Sequence, residues 1–295
     1  MSGNGRRFIE AGYTVLKPLI KVDGKPIIEY VVSMFPGDHE FIFICQEEHL
    51  ANTEMKSILN RIKPDAEIIP VSPSKTAPRK KGPVAAVARA FDRIKDDEDV
   101  MVSYCDYYME WDFEGFVKKI IDGNFDGAVP SYIGFHPHLL HKKYYAGVLA
   151  DKNNIMTDIK EKHCFTDNLM DCYQSAGAYY FRRGSELKKY FQELMDADIN
   201  LNGEYYASMV YCLYLRDGKK IYVPEVKKFM QWGTPEDLEE FEAWSRLFAK
   251  KFGKEKLKTD IPETREKNII IPHDENSEEY KKSFKYWEDY IDKLN

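Results

Sequence analysis

The chain has 295 residues, a formal charge of −6 and a pI near 5.8, so a general nucleic-acid-binding role has no electrostatic support and any polyanion must be met by local clusters. Its 43% hydrophobic and 14% aromatic residues are ample for a buried core in one large domain or two small ones. No run approaches the roughly 18 apolar residues of a membrane span, and the N-terminus lacks a signal peptide's apolar core, so a cytoplasmic protein is expected. Five scattered cysteines (Cys45, Cys105, Cys164, Cys172 and Cys212) form no Cys-x-x-Cys pair, which fits reduced thiols better than a disulfide frame or a zinc site.

The chain opens on Ser2-Gly3-Asn4-Gly5-Arg6-Arg7-Phe8. Gly3 and Gly5 let the backbone approach a bulky anion and point N–H groups at it, with Asn4 between them and two arginines following to meet negative charge. Lys17 is set before Pro18, which steers it toward an extended backbone, so a second cation is presented from a stiff segment. Gly24-Lys25-Pro26 then opens a helix whose apolar side is Ile27, Ile28, Val31, Val32 and Phe35. A phosphate-cradling loop normally follows a β-strand, yet Met1 stands directly before Ser2. Either the start is truncated or the sheet closes without a first strand.

Strand and helix then alternate: strands at 40–45, 67–71, 99–105 and 125–132, and helices at 48–62, 83–95 and 112–121. This is the pattern of a mostly parallel sheet flanked by helices, with ligands at the carboxyl ends of its strands. Lys75, Arg79, Lys80 and Lys81 lie in a loop before Gly82-Pro83, either as a solvated charge run or facing a triphosphate. Gly82 starts the next helix, a suitable place for a nucleotide edge. Asp106 follows an apolar strand, where a carboxylate can hold Mg²⁺ bridging phosphate oxygens; a cap or turn aspartate is the bland alternative. Asp112 looks like a helix N-cap. Further on, His136, His138 and His141 lack the spacing of metal ligands and suggest a loop lining or covering a second substrate. Strands are expected around Gly147 and Gly177, and Glu161-Lys162 could accept hydrogen bonds from vicinal hydroxyls and meet a phosphate, or be a surface ion pair.

These motifs, in this order, resemble the sugar nucleotidyltransferases of the nucleoside-triphosphate transferase superfamily. Gly-x-Gly-x-Arg-Phe, Lys17-Pro18-Leu19 and Gly24-Lys25-Pro26 match its amino-terminal signature, with Arg7 and Lys17 in the places of its arginine and lysine. Tyr145-Ala146-Gly147-Val148, Glu161-Lys162, Gly177, Asn202-Gly203-Glu204-Tyr205-Tyr206 and Gly233-Thr234-Pro235-Glu236-Asp237-Leu238 match later elements. The resemblance covers about four-fifths of the chain, residues 1–245. It implies an α/β, Rossmann-like (GT-A-like) fold with a nucleotide-binding half (1–132), a β-rich acceptor-binding half (133–245) and a partly helical extension (246–295).

The resemblance also implies a reaction: a sugar phosphate or sugar-like phospho-alcohol joins a nucleoside triphosphate, giving an activated product and pyrophosphate. In it Arg7 and Lys17 are catalytic, Gly3, Asn4, Gly5 and Gly82 bind nucleotide, Gly147, Glu161, Lys162, Gly177 and Glu204 bind the acceptor, and Asp106 binds Mg²⁺. Residues 134–140 with Phe165-Thr166-Asp167-Asn168 look like the branch that serves capsule or surface polysaccharide synthesis. The thymidylyl branch has an aspartate three residues before the threonine of its Gly-Thr-Pro segment; here that position is Gln231, a poorer Mg²⁺ ligand. A GT-A type glycosyltransferase or a non-catalytic homologue that keeps the nucleotide fold are the rivals. Beyond 250, residues 268–271 form an apolar strip, and a final helix carries Phe284, Tyr286, Trp287 and Tyr290. That aromatic spacing argues for docking, on its own domain in preference to a second subunit, with a homo-oligomer left open.

Overall fold

A computed structural model describes residues 1, 3, 5–72, 82–141, 145–251 and 274–291. Asn4, the basic residues at 75 and 79–81 and the strip at 268–271 lie outside them. The helices are α1 (Arg6–Glu10), α2 (Ile27–Ser33), α3 (Glu47–Asn52), α4 (Met55–Ile62), α5 (Pro83–Val87), α6 (Phe113–Gly123), α7 (Gly184–Asp196), α8 (Ala207–Arg216), α9 (Pro235–Lys251) and a C-terminal helix (Glu278–Ile291). The strands are β1 (Lys21–Val22), β2 (Lys25–Pro26), β3 (Ile42–Gln46), β4 (Glu67–Val71), β5 (Val100–Ser103), β6 (Tyr107–Glu110), β7 (Gly127–Ala128), β8 (Ser131–Tyr132), β9 (Gly147–Ala150), β10 (Met156–Lys160), β11 (Tyr173–Ser175), β12 (Ala178–Phe181), β13 (Ile221–Tyr222) and β14 (Lys228–Gln231).

The α/β class is as the sequence implies, with strand directions mixed. β3 and β4 pair in parallel across α3 and α4, and β13 lies parallel to β7. Between them β12 runs antiparallel to both β5 and β7. All four β12 residues are buried, as a strand covered on both faces must be. Its direction is set by the turn at Gly177, where a φ of +93° brings the chain from β11 straight into β12. A second four-stranded sheet, ordered β10-β9-β11-β8, carries Gly147 in β9 and leads into Glu161 and Lys162 at the end of β10. The apolar stretch expected as one strand over 125–132 is divided between the two sheets, β7 in one and β8 in the other. Pro130 between them has no N–H to give a ladder.

Two expected helices are also interrupted. The periodic run at 48–62 breaks at Thr53, which is extended at the end of α3 while its hydroxyl donates to the His49 carbonyl (2.6 Å) and accepts from the Met55 N–H (3.2 Å). The segment expected as a helix over 83–95 is α5 followed by a 3₁₀ turn at Ala88–Ala90. At the amino terminus, Met1 donates its ammonium hydrogen to the Ile44 carbonyl of β3 (2.7 Å).

One hydrophobic core gathers α2, β3, the β6–β14 ribbon, α9 and the C-terminal helix; another joins β5, β12, α7, α8 and the acceptor-half strands. The C-terminal helix docks on its own chain. Trp287 packs edge-on against Phe241 of α9 (5.1 Å between ring centroids) and Phe284 against Phe248 (4.9 Å). The Tyr286 hydroxyl donates to the Phe229 carbonyl (2.9 Å) and accepts from the Phe229 N–H (3.2 Å), filling both main-chain groups of a residue in β14. His136 and His138 do not line a substrate loop. Both are buried among Tyr132, Phe229 and Tyr286, with His138 Nε2 3.0 Å from the Tyr132 hydroxyl. Burial pushes the His136 pKa down to about 4, so its ring is a neutral core group.

Because Trp287 is 5% exposed and bridges the C-terminal helix to α9, Trp287→Ala is expected to cost about 3–4 kcal/mol of unfolding free energy, read from urea denaturation. A loss below about 1 kcal/mol, the scale of a surface change, would mean that the helix is not held by this ring.

Candidate active site

The amino-terminal loop is shaped around Gly5. Its φ of +61° lies in the left-handed region, and its carbonyl accepts from the Phe8 N–H (2.9 Å), so the chain turns at once into α1. Phe8 is buried edge-on to Tyr13 (5.0 Å) and pins this helix, which leaves Arg6 and Arg7 pointing outward. Arg6 is spent on Glu10 (2.7 Å) with its side chain 87% exposed, the solvent-facing role its position suggests. Gly3 is exposed, and a Cβ built on it would meet nothing within 4 Å.

Lys17 opens a 3₁₀ turn (Lys17–Leu19) instead of extending the segment before Pro18. The proline takes the second position, where its missing N–H breaks no bond, and Pro18 and Leu19 are buried beneath it. The turn aims the Lys17 ammonium at Asp106, Nζ to Oδ2 2.7 Å, each side chain 23% exposed. A Cβ on Gly5 would come 3.8 Å from Lys17 Cβ, so glycine turn, lysine and aspartate share one place. Burial acts to lower the Lys17 pKa, and the Asp106 carboxylate more than offsets it, leaving the amine above its ordinary value.

Asp106 stands where β5 gives way to β6, and β6 pairs with β14 so that Tyr107 faces Gln231. The Trp232 N–H donates to the Asp106 carbonyl (3.0 Å), closing the end of the ribbon. Gly233 follows, and a Cβ there would lie 3.0 Å from both Asp106 Oδ2 and Gln231 Nε2. The missing Cβ thus leaves a small cradle between a carboxylate and a side-chain amide. Asp106 is a hard oxygen donor that suits Mg²⁺, and Gln231 adds a dipole without charge. Among the described residues no group of three or more His, Cys, Asp or Glu could hold a metal by itself. The position that sequence comparison marked as a departure therefore lies beside the carboxylate whose ligand set it would complete. Asp112 is the expected N-cap, its Oδ1 accepting from the Gly115 N–H (2.9 Å).

Glu161, Lys162 and Glu204 gather at the start of α8. Glu161 and Lys162 leave the end of β10, Lys162 with a φ of +51°, and diverge. Glu161 Oε2 accepts from the Ser208 hydroxyl (2.5 Å), while Lys162 Nζ donates to the Tyr206 hydroxyl (3.0 Å) and sits 5.1 Å from that ring's centroid. Tyr206 in turn donates to Glu204. Tyr206 and Ser208 were not singled out in the sequence, although Tyr206 lies inside the Asn-Gly-Glu-Tyr-Tyr element that carried Glu204. Burial is the main cause holding the Tyr206 pKa high, then Glu204, with the Arg7 charge acting against both. Arg7 bears on Lys17 in the same way. Its field thus reaches both clusters.

Three candidate glycines are explained by backbone packing. A Cβ on Gly82 (φ +115°) would fall 2.6 Å from the Tyr205 carbonyl oxygen, and one on Gly147 2.4 Å from the His163 carbonyl oxygen. On Gly177 it would meet the Tyr104 ring at 3.2 Å. Each glycine lets one segment seat another that carries a candidate residue, Tyr206, Lys162 and Asp106 respectively.

Burial raises the Glu161 pKa, with Ser208 and Lys162 acting against it. A folded carboxyl that holds its proton more tightly than the unfolded one contributes stability fully below the unfolded pKa and loses it as pH rises through the folded value. Glu161→Gln, which cannot ionise, should therefore gain stability relative to the parent between about pH 4 and about pH 7, measured by urea unfolding at both ends. An unchanged difference would mean that the carboxyl is no more desolvated than in the unfolded chain.

Residues 1–161 match the family described as MobA-like NTP transferase domain. No curated protein sequence matches the chain. Among solved structures, a nucleoside-diphosphate-sugar pyrophosphorylase from Vibrio cholerae RC9 superposes with a TM-score of 0.64 at 17% identity, covering 82% of this chain and 98% of that one. The inositol-1-phosphate CTP transferase from T. maritima gives 0.59 at 16%, over 80% and 88% of the two chains. A Bacillus anthracis protein assigned as a glucose-1-phosphate thymidylyltransferase gives 0.60 at 18%, over 83% and 92%. At such identities the structural likeness establishes the fold, and the family match supplies the chemistry. Matched over more than half its length, the chain belongs to the MobA-like NTP transferase family and is a nucleotidyltransferase.

Proposed function

We propose that this nucleotidyltransferase joins a nucleoside triphosphate to a sugar phosphate or a sugar-like phospho-alcohol, releasing pyrophosphate, in the service of surface or capsular polysaccharide synthesis. The observation that carries the reading is the 2.7 Å contact of Lys17 with Asp106 directly beside Gly5. A glycine turn, two cations and a carboxylate around one point are what in-line displacement at phosphorus requires, because that chemistry runs on alignment and charge compensation. Residues 1–132 would serve the nucleotide, 133–245 the acceptor and 246–295 would buttress them, in a cytoplasmic protein. No helix among the described residues is long and apolar enough to cross a membrane.

In this reading Gly3, Asn4 and Gly5 wrap the triphosphate and Gly82 borders the nucleoside. Arg7 offsets charge on the departing pyrophosphate, and Lys17 draws on a non-bridging oxygen of the α-phosphate. Asp106, with Gln231 beside it, would hold Mg²⁺, which when bound neutralises phosphate charge. Glu161 accepts from acceptor hydroxyls, Lys162 meets the acceptor phosphate, and Glu204 keeps Tyr206 oriented toward Lys162. Gly147 and Gly177 keep the loops around them seated. The nucleophile is an anionic phosphate oxygen, so no general base is needed. The T. maritima neighbour's printed name, an inositol-1-phosphate CTP transferase, supports keeping phospho-alcohols beside sugar phosphates as acceptors.

A pyrophosphate-release screen of the four nucleoside triphosphates against sugar 1-phosphates and small phospho-alcohols tests the reading. Nucleoside diphosphate release from an activated sugar would mark a glycosyltransferase instead, and tight nucleotide binding without turnover a non-catalytic homologue. With the active pair in hand, Arg7→Ala and Lys17→Ala should each lower kcat about 100-fold or more while KM moves only a few-fold. Arg6→Ala should leave both unchanged. Near-normal turnover in either of the first two would remove that residue from the mechanism.

A further inference from the structure

We infer that Lys17 guards Asp106 in the nucleotide-free enzyme: the lysine occupies the carboxylate that a divalent cation would need, and leaves it only for the phosphates of an incoming nucleotide. The inference rests on the function proposed above and concerns the order in which its parts assemble.

The ion pair is short and three-quarters withdrawn from solvent, so bulk salt screens it poorly. Oδ2 is the oxygen that Lys17 holds and also the one facing the Gly233 cradle, so ammonium and metal compete for the same atom. Gln231, the neighbour across that cradle, contributes no charge. Lysine and aspartate together sum to zero, and Arg7 adds positive potential at Lys17. With the pair neutral and Arg7 positive, the charge described around Oδ2 disfavours a free divalent cation there. A triphosphate reverses this, since it supplies the negative charge that both cations need. Lys17 can exchange partners because its four-carbon stem is flexible and Gly5, where a Cβ would come 3.8 Å from Lys17 Cβ, places no side chain beside it. Metal and nucleotide binding are then coupled, and the coupling acts equally in both directions.

Titration of the nucleotide-free protein with Mn²⁺ alone, followed by electron paramagnetic resonance, separates the outcomes. The parent should bind free Mn²⁺ weakly. Lys17→Met should bind it about tenfold more tightly, and so should Gln231→Glu with Lys17 intact, because a second carboxylate outweighs the lysine. Asp106→Asn added to either variant should abolish the gain. Arg6→Met removes a charge from the same loop without touching Asp106 and should change nothing, which excludes a general charge effect. Parent affinity equal to that of Lys17→Met and of Gln231→Glu would overturn the guard, as would an equal gain in Arg6→Met. Should Lys17→Met fail to fold, Lys17→Gln in the same titration decides the matter, with a gain of about tenfold expected and parent affinity overturning the guard. Binding of the four triphosphates to the parent in EDTA is measured in parallel. Binding without the metal differences would sink the guard alone, whereas no triphosphate binding with or without Mn²⁺ would sink the function on which it rests.

Discussion

The Lys17–Asp106 ion pair ties together segments that are 89 residues apart and belong to different kinds of structure, a turn near the amino terminus and the link between β5 and β6. Much of the surrounding architecture can be understood as bringing those two side chains within 2.7 Å. Pro18 and Leu19 anchor the turn from below, Phe8 pins the loop before it, and the β6–β14 ribbon fixes where the chain goes after Asp106. A half-buried pair of this kind is costly to desolvate and adds little net stability. Its presence is better accounted for by what each partner does when a polyanion arrives.

The cluster around Glu161 and Lys162 follows a different logic. There the charged residues do not pair with one another: Glu161 is satisfied by Ser208, and Lys162 by Tyr206. Neutral hydroxyls hold the two charges apart and keep each available to a partner of its own. The Tyr206 hydroxyl, donating to Glu204 and accepting from Lys162, orients the lysine without neutralising it. One cluster thus stores opposite charges in contact, and the other keeps them separate.

Local signals carried a good part of this arrangement. β3 and β4 follow short apolar runs, Asp112 caps α6 as its residue type suggests, and the aromatic stripe at 284–290 seats the C-terminal helix. What escaped was decided by pairings between distant residues. Nothing near Ala178 says that β12 runs antiparallel between β5 and β7, because its direction depends on the turn that enters it. The β6–β14 ribbon joins residues more than a hundred positions apart, so Gln231 could be flagged as unusual without its neighbour being known. His136 and His138 look like site residues by type, and only the rings that enclose them reveal core groups. Lys17 illustrates a weaker rule outbid: the bias against helical backbone before proline gave way to a turn that buries Pro18 and Leu19.

The hold of Tyr286 on Phe229 has a meaning beyond docking. A two-stranded ribbon has exposed borders, and an open main-chain donor and acceptor on such a border invite a strand from another molecule to add on. By satisfying both groups of one residue, a single phenol acts as a surrogate neighbour and denies that invitation at the strand ending in Gln231. The C-terminal helix therefore also covers part of a border on which a strand from another copy could pair.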